Sequence, residues 1–201
     1  MKNTLILSMV AVSAMSFGQS LSTLAPNNGS GGVFMELTSN SDMFVTQFDF
    51  PLGNATVGTP ASVEVYVRSG SYAGFTASNV GWTLHDTITA LAAGTSVYTP
   101  GVLNNQILLS TGQTTSVYLH SITSGNGLRY QGTGTTSTST FSNADLTLFS
   151  DVARTGNVAF GGSQFAPRAF SGTVHYEAVP EPATMAILGL GAAALMRRRK
   201  K

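Results

Sequence analysis

The stretch Val63-Glu64-Val65-Tyr66-Val67-Arg68 decides the fold class. Its three valines alternate with an acidic, an aromatic and a basic residue. Successive side chains of a β-strand point to opposite faces of the sheet, so this period of two is typical of a half-buried antiparallel strand. The sequence therefore predicts a strand here, with the valines facing a core and Glu64, Tyr66 and Arg68 facing outwards.

Similar segments lie on both sides of this stretch. Three further predicted strands have these residues on one face: Val33, Met35 and Leu37; Phe44, Thr46, Phe48 and Phe50; and Trp82, Leu84 and Ile88. Shorter strands are predicted within residues 106–110, 115–122, 128–131, 146–149 and 173–177. Asn126-Gly127 predicts a hairpin turn between two of them, because both residues tolerate positive φ. Without any helical period, this pattern predicts an all-β fold: an antiparallel β-sandwich, jelly-roll-like, with a closed barrel as the alternative.

The composition is typical of one exported β-rich domain. Only 9% of the 201 residues are charged while 42% are hydrophobic, and a disordered chain would have more charge and less apolar content. The absence of cysteine excludes disulfides, thiolate nucleophiles and zinc sites with cysteine ligands. Residues 132–140 consist entirely of Ser, Thr and Gly, which predicts an exposed loop of low complexity.

Positive charge is concentrated at the two ends of the chain. Lys2 and residues 197–201 supply six of the ten basic residues, so four arginines face nine acidic residues in between, a net charge of −5. Nucleic-acid binding requires clustered lysine and arginine to neutralise phosphates. We therefore expect no nucleic acid among the partners.

The first 18 residues have the order of a secretory signal peptide. Lys2 precedes the apolar run of residues 5–12, and Ser16-Phe17-Gly18 has the small-x-small pattern of a cleavage site. We predict a signal helix over residues 1–18 and a mature domain over residues 19–178. Export machinery and a signal peptidase are the partners that this segment implies.

Residues 179–201 have the composition of a membrane-engaging tail. Val179-Pro180-Glu181-Pro182 is followed by an apolar run from Ala183 to Met196 and by the basic residues Arg197, Arg198, Arg199, Lys200 and Lys201. This run is shorter than the ~20 residues that an untilted helix needs to cross a bilayer. The prolines block helix propagation on one side, and the basic residues favour the cytoplasmic face on the other. We predict a short hydrophobic helix with a basic stop.

This tail closely resembles the PEP-CTERM sorting signal of Gram-negative and related bacteria. The resemblance implies a sorting motif at Val179, Pro180, Glu181 and Pro182, and recognition by an exosortase, a transpeptidase-like membrane protease of bacteria that make exopolysaccharide. The implied route is transient anchoring in the inner membrane and a final location at the cell surface or outside the cell. An ordinary anchor helix with a positive stop is the alternative. The body is similar to a β-rich domain often found ahead of such tails, for which no activity is established.

Residues with catalytic potential are scattered through the predicted strands. His85, His120 and His175 stand alone, no Gly-x-Ser-x-Gly elbow is present, and nothing pairs any two carboxylates. We therefore predict no catalytic residue, no metal site and no cofactor. Aromatic and basic residues suggest a sugar-binding platform instead, and the candidates are Tyr66, Arg68, Tyr72 and Tyr130. The alternative for the arginines is a stem packed on a neighbouring ring.

Together these features predict an exported, non-enzymatic protein of the cell surface or extracellular matrix, sorted through its C-terminal signal. Its expected role is structural or adhesive in an exopolysaccharide matrix such as that of a biofilm. A carbohydrate-binding module for exopolysaccharide is the second hypothesis, and a glycan-acting hydrolase is the third.

Overall fold

A computed structural model describes residues 18–29, 31–123, 127–132 and 139–179. The predicted signal helix, the C-terminal hydrophobic helix and most of the predicted loop over residues 132–140 lie outside these ranges. Residues Gly18–Ala178 form a compact unit of their own. Within the described ranges the chain is all-β, and none of it forms a helix long and apolar enough to span a bilayer.

The described residues form fifteen strands. They are β1 (Gln19–Ser22), β2 (Asn28–Gly29), β3 (Gly32–Ser39), β4 (Met43–Pro51), β5 (Pro60–Ser69), β6 (Thr83–Leu91), β7 (Tyr98–Leu109), β8 (Thr114–Ser121), β9 (Arg129–Gln131), β10 (Thr140–Ser142), β11 (Leu146–Phe149), β12 (Ala153–Arg154), β13 (Gln164–Phe165), β14 (Ala169–Phe170) and β15 (Thr173–Ala178).

These strands form two large sheets and one small one. The four-stranded sheet has the order β1-β15-β4-β7, and the eight-stranded sheet has the order β10-β11-β3-β8-β5-β6, with β12 pairing with β3 and β13 with β12. Strands β14, β9 and β2 form the small sheet. The named strands pair in antiparallel fashion, and one core cluster draws on both large sheets. The predicted antiparallel β-sandwich is confirmed.

The inner core follows the predicted alternation where strands are regular. Val63 and Val65 are fully buried, and Val67 packs against the same cluster. Across the sandwich they share this cluster with Phe48 and Phe50 of β4. Burying a side chain of this size contributes about 1.5–3 kcal/mol, so these strand faces hold the two sheets together.

A β-bulge in β4 makes one predicted face wrong. On β15, His175 pairs with Gln47 and Tyr176 with Val45, so Thr46 is an extra residue without a partner on that strand. An extra residue reverses the alternation. Phe48 and Phe50 therefore face the core as predicted, whereas Phe44 and Thr46 are only half-buried and Val45 takes the inward position.

A second bulge changes the predicted face of β6. Val65 pairs with Asp86 and Tyr66 with Leu84, which leaves His85 as the extra residue. Leu84 is consequently 50% exposed, and Asp86 is buried beside the predicted core residue Ile88. Trp82 is buried as well, but it precedes β6 and lies in a different cluster.

The predicted hairpin at Asn126-Gly127 is wrong. Residues 124–126 lie outside the described ranges, but the strands on either side do not pair with each other. β8 pairs with β3 and β5, whereas β9 pairs with β2 and β14 in the small sheet. The sequence pattern also missed β1 and the first half of β7, where short polar or proline-containing stretches weaken the alternation.

Asp86 joins the two large sheets along one edge of the sandwich. Opposite β4, strand β7 bulges between Val102 and Ile107, which frees the backbone of Asn104 and Asn105 from the ladder. Asp86 Oδ2 accepts hydrogen bonds from both backbone N–H groups at 2.6 and 3.0 Å. The Asn104 side chain and the Thr87 N–H donate further hydrogen bonds to this carboxylate. Burial by itself raises the pKa of Asp86, but the hydrogen bonds outweigh burial and lower the pKa below 3.8.

Replacing Asp86 with asparagine should lower the free energy of unfolding by about 1–3 kcal/mol at pH 7, because the β7 bulge loses a charged acceptor. A carboxylate whose pKa is lowered in the folded state stabilises the protein above the unfolded pKa of about 3.9, and this contribution is lost as the pH falls through the folded value. The difference between wild type and Asp86→Asn should therefore be constant from pH 5 to 8 and shrink below about pH 4. Urea denaturation followed by fluorescence of Trp82, the single tryptophan, measures it.

The control for this experiment is Thr89→Ala, an exposed threonine on the same strand, which should change stability by less than about 0.5 kcal/mol. An Asp86→Asn variant as stable as wild type at pH 7 would show that the carboxylate does not hold the sheets together.

Candidate functional site

A row of aromatic rings crosses the outer face of the eight-stranded sheet. Phe34 of β3 pairs with Tyr118 of β8, which in turn pairs with Tyr66 of β5. The Phe34 and Tyr118 rings stack with centroids 3.9 Å apart, and the Tyr118 and Tyr66 centroids are 6.1 Å apart. Side chains directly opposite each other on adjacent strands are close neighbours, so the register alone brings the three rings together.

The β5–β6 loop, residues 70–82, covers one side of this row. Tyr72 and Trp82 pack onto Phe34, with ring centroids 5.7 Å away in each case. Trp82 Nε1 donates a hydrogen bond to the Phe75 carbonyl at 2.8 Å, and the Tyr72 hydroxyl donates to Asp151. Both polar groups of these rings are therefore satisfied inside the cluster, which fixes the loop on the sheet.

The β12–β13 loop, residues 155–163, covers the other side. Phe160 is 7% exposed, and its ring lies 4.9 Å from that of Tyr118 and 5.0 Å from that of Tyr66. Its backbone has φ +60°, in the left-handed region that bulky residues rarely adopt. Burial of the ring among these aromatics offsets the strain of that conformation.

Arg154 connects the two loops. Its Nε and Nη2 donate to the carbonyls of Gly161 and Gly162, both at 2.8 Å, and its Nη1 donates to the Thr76 carbonyl at 3.1 Å. Gln164 completes the connection by accepting from Thr76 Oγ1 at 2.6 Å and from Arg154 Nη1 at 3.3 Å. A planar guanidinium with five donors suits such a multiple contact, so Arg154 fixes the separation of the loops.

Between the two loops lies an open groove of about 630 Å³. Glu64 and Tyr66 of β5 contribute to its lining, with Ile122 just after β8. The remaining lining residues come from the loops: Ala77, Ser78, Asn79, Asn157, Val158, Ala159, Phe160 and Gly161. Its volume is within the range of about 300–1,000 Å³ that is typical of small-molecule sites, and we refer to it as the loop groove.

Glu64 is the ionisable carboxyl group of the loop groove. Its Oε2 accepts a hydrogen bond from the Tyr66 hydroxyl at 3.2 Å and lies 3.4 Å from Nδ1 of the fully buried His120. His120 Nε2 donates to the Gly156 carbonyl at 3.1 Å, because a carbonyl can only accept. Burial and the Glu64 carboxylate raise the pKa of Tyr66 above its ordinary value of 10, so its hydroxyl remains a donor at neutral pH.

The two ends of the body meet at one edge of the four-stranded sheet. Gln19, the first residue of β1, pairs with Tyr176 near the end of β15. Residues 178–200, which begin with the last residue of β15, match the family model of the PEP-CTERM protein-sorting motif. The chain carries a PEP-CTERM protein-sorting motif. No curated protein matches the chain.

The PEP-CTERM match confirms the resemblance predicted from the sequence. It covers Val179, Pro180, Glu181 and Pro182 and the basic residues from Arg197 to Lys200. The motif identifies an exported protein with a membrane-anchored sorting signal that exosortase-type machinery processes.

Three of the four predicted carbohydrate-binding residues lie on the outer face of the large sheet, but only Tyr66 lines the loop groove. Tyr72 is 3% exposed, with its ring stacked on Phe149 at 6.2 Å. Tyr130 is 2% exposed in the main core, away from the other three. A sugar-stacking platform needs an exposed ring face, and neither Tyr72 nor Tyr130 presents one.

Arg68 packs against aromatic rings. This is the alternative to sugar binding that the sequence offered for the arginines. Its guanidinium carbon lies 3.5 Å from the centroid of Phe75 and 5.9 Å from that of Trp82. Its Nε and Nη1 are buried and make no hydrogen bond to the described residues. This geometry is a cation–π contact that holds the β5–β6 loop onto the sheet.

The three histidines lie in separate places, and two of them, His120 and His175, each lie beside one carboxylate. His85 Nε2 lies 3.0 Å from the Asn105 carbonyl, and His175 Nε2 lies 2.7 Å from Asp49 Oδ2 on the outer face of the other sheet. In the described part of the chain, no three His, Asp or Glu side chains form a group able to hold a metal ion. Glu64 is the one carboxylate among the residues that line the loop groove.

Most of the residues that line the loop groove could not be predicted from the sequence. Glu64 follows from the alternation in β5, which places it beside Tyr66 on the outer face. Asn79 and Asn157 are 78 positions apart in loops without a recognisable motif. The contact between Trp82 and Phe160 and the hydrogen bonds of Arg154 bring these loops together.

Replacing Arg154 with lysine should loosen the walls of the loop groove without unfolding the sandwich, because one ammonium group cannot reach three separate carbonyls. We expect amide hydrogen exchange to become about tenfold to a hundredfold faster in residues 76–82 and 157–163, with little change in β3 and β8. Arg168→Lys is the matched control, since Arg168 donates to its neighbour Pro167 and does not contact these loops. Unchanged exchange in Arg154→Lys, or equal acceleration throughout the sheet, would contradict this role.

Proposed function

We propose that this protein is a non-enzymatic component of the cell surface or extracellular matrix of an exopolysaccharide-producing bacterium, with a structural or adhesive role. The sorting motif at residues 178–200 is the observation that carries the proposal, because such a motif has no use in a protein that stays inside the cell. The lasting function then belongs to the β-sandwich body.

The body supports a non-catalytic role. The loop groove is lined by a single carboxylate, whereas glycoside hydrolysis ordinarily needs two, about 5–10 Å apart. Glu64 accepts a hydrogen bond from the Tyr66 hydroxyl and has no second acid beside it in the groove lining. On the outer face of the four-stranded sheet, the Asp49 carboxylate is paired with Gln47 and His175.

The pairing of its terminal strands also suits the body to a mechanical role. The first and last strands of the body, β1 and β15, are hydrogen-bonded over four residue pairs, and β15 continues into the β4 ladder. Both ends of the body are therefore held in the hydrogen-bond ladder of the four-stranded sheet. This suits a matrix protein, because frayed strand ends invite unwanted pairing with other chains.

Truncation of residues 197–201 should block sorting, because the basic residues hold the hydrophobic segment at the cytoplasmic face. We expect the truncated protein, and Glu181→Ala within the Pro-Glu-Pro motif, to remain uncleaved in the membrane fraction of the native host. The wild-type protein should appear in the surface or matrix fraction with a shortened C-terminus, measured by fractionation and mass spectrometry of the mature chain.

Glu177→Ala is the matched control, since this glutamate lies in β15, one residue before the matched region begins. It should be processed and located like wild type. Normal maturation of the truncated protein would contradict sorting through this tail, and wild-type protein that is cleaved but found only free in the medium would contradict the matrix role.

A further inference from the structure

We propose that the loop groove binds a segment of an uncharged glycan, such as a neutral or N-acetylated polysaccharide chain. This inference names a partner for the matrix role proposed above and rests on it. It differs from the platform that the sequence predicted, because it uses Tyr66 with four residues of the groove lining: Glu64, Asn79, Asn157 and Phe160.

The aromatic part of the groove comes from Tyr66 and Phe160. Their rings meet edge to face, with centroids 5.0 Å apart at 75°. Phe160 is almost fully buried and supports Tyr66, which is half-buried and lines the groove. An aromatic ring fixed in this way offers a flat apolar surface to the C–H face of a sugar ring, at little cost in side-chain entropy.

Hydrogen-bonding groups surround this aromatic surface. The described contacts of the Glu64 carboxylate engage Oε2, and Oε1 makes no hydrogen bond to any described residue. Asn79 and Asn157 are exposed, and their side-chain amides make no hydrogen bond within the described part of the chain. A carboxylate that only accepts, together with amides that both donate and accept, matches the mixed demands of sugar hydroxyl and acetamido groups.

The charge of the groove selects against acidic glycans. Glu64 is the one charged residue that lines it. The nearest wall arginine, Arg154, already directs Nε, Nη1 and Nη2 to loop carbonyls. A uronate or sulfate ester would face a carboxylate without a free cation to pair with it, which is a repulsive arrangement.

The groove is held in shape before any ligand arrives. Arg154 and Gln164 connect its two walls, and the aromatic cluster anchors both loops to the sheet. A site whose walls need no ordering on binding retains more of the interaction energy as affinity.

The test is direct binding by the full chain in detergent micelles. Immobilised protein is exposed to three probes of similar length: N-acetylglucosamine oligomers, glucose oligomers and galacturonate oligomers. We expect measurable binding to one or both uncharged probes and none to galacturonate at physiological ionic strength. Binding to galacturonate alone, or to none of the three, would overturn the proposal.

Three variants locate the binding. Asn157→Ala removes an exposed amide at the loop groove, and Glu64→Gln removes the charge but keeps the shape; each should weaken binding by about fivefold to tenfold. Gln113→Ala removes an exposed amide from the turn between β7 and β8 and should leave the affinity within about twofold. Equal affinities in all variants would place the binding outside the groove.

The failure of this proposal can be distinguished from failure of the matrix role. Wild-type protein that is recovered in the matrix but binds no uncharged glycan would overturn the groove proposal and leave the matrix role standing. Protein that binds these glycans but never reaches the surface or matrix fraction would overturn the matrix role instead.

Discussion

The eight-stranded sheet has two apolar faces, and covering both is the constraint on which the rest of the structure depends. Its inner face packs against the four-stranded sheet, but the outer face carries Phe34 and Tyr118, both fully buried. Leaving rings of this size in water would cost several kcal/mol, so the chain must supply a cover. It uses the β5–β6 and β12–β13 loops, and the loop groove is the space that remains between them.

Local features of single residues shape both faces of this sheet. The extra residue His85 lets β6 direct Asp86 inwards, where the carboxylate binds the backbone of the β7 bulge. On the outer face, Gly32 leaves room for the ring of Tyr118. A Cβ atom at this position would lie 2.7 Å from Cε2 of Tyr118 and 2.5 Å from the Leu119 carbonyl oxygen. The ring of Tyr118 therefore takes the space above a glycine, which brings the aromatic row close to the backbone of β3.

The sequence was a reliable guide wherever a side chain's environment depended on its own strand. The alternation in Val63–Arg68 correctly predicted which side chains are inside, and the tail was recognisable because its prolines, apolar run and basic end are contiguous. The alternation failed at Thr46 and His85, since a bulge reverses the pattern without any local marker in the sequence. The burial of Tyr72 and Tyr130 depends on contacts with distant strands, so no reading of local pattern could have separated them from the half-buried Tyr66.

The order of strands also constrains how a protein with this tail can mature. β15 is the last strand of the body, yet it lies between β1 and β4 in the four-stranded sheet. The first strand, β1, is hydrogen-bonded to β15 in this sheet. The four-stranded sheet therefore cannot close until the chain has been exported as far as Ala178, one residue before the Val179-Pro180-Glu181-Pro182 segment. A sorting signal anchored in the membrane just beyond this point would give β15 time to pair before processing, because long-range strand pairing is slow compared with local folding. Cleavage upstream of Ala178 would remove part of β15 and leave β1 unpaired, whereas cleavage within the Pro-Glu-Pro segment leaves the whole sandwich intact. The matched motif thus begins at the residue that ends the last strand of the fold.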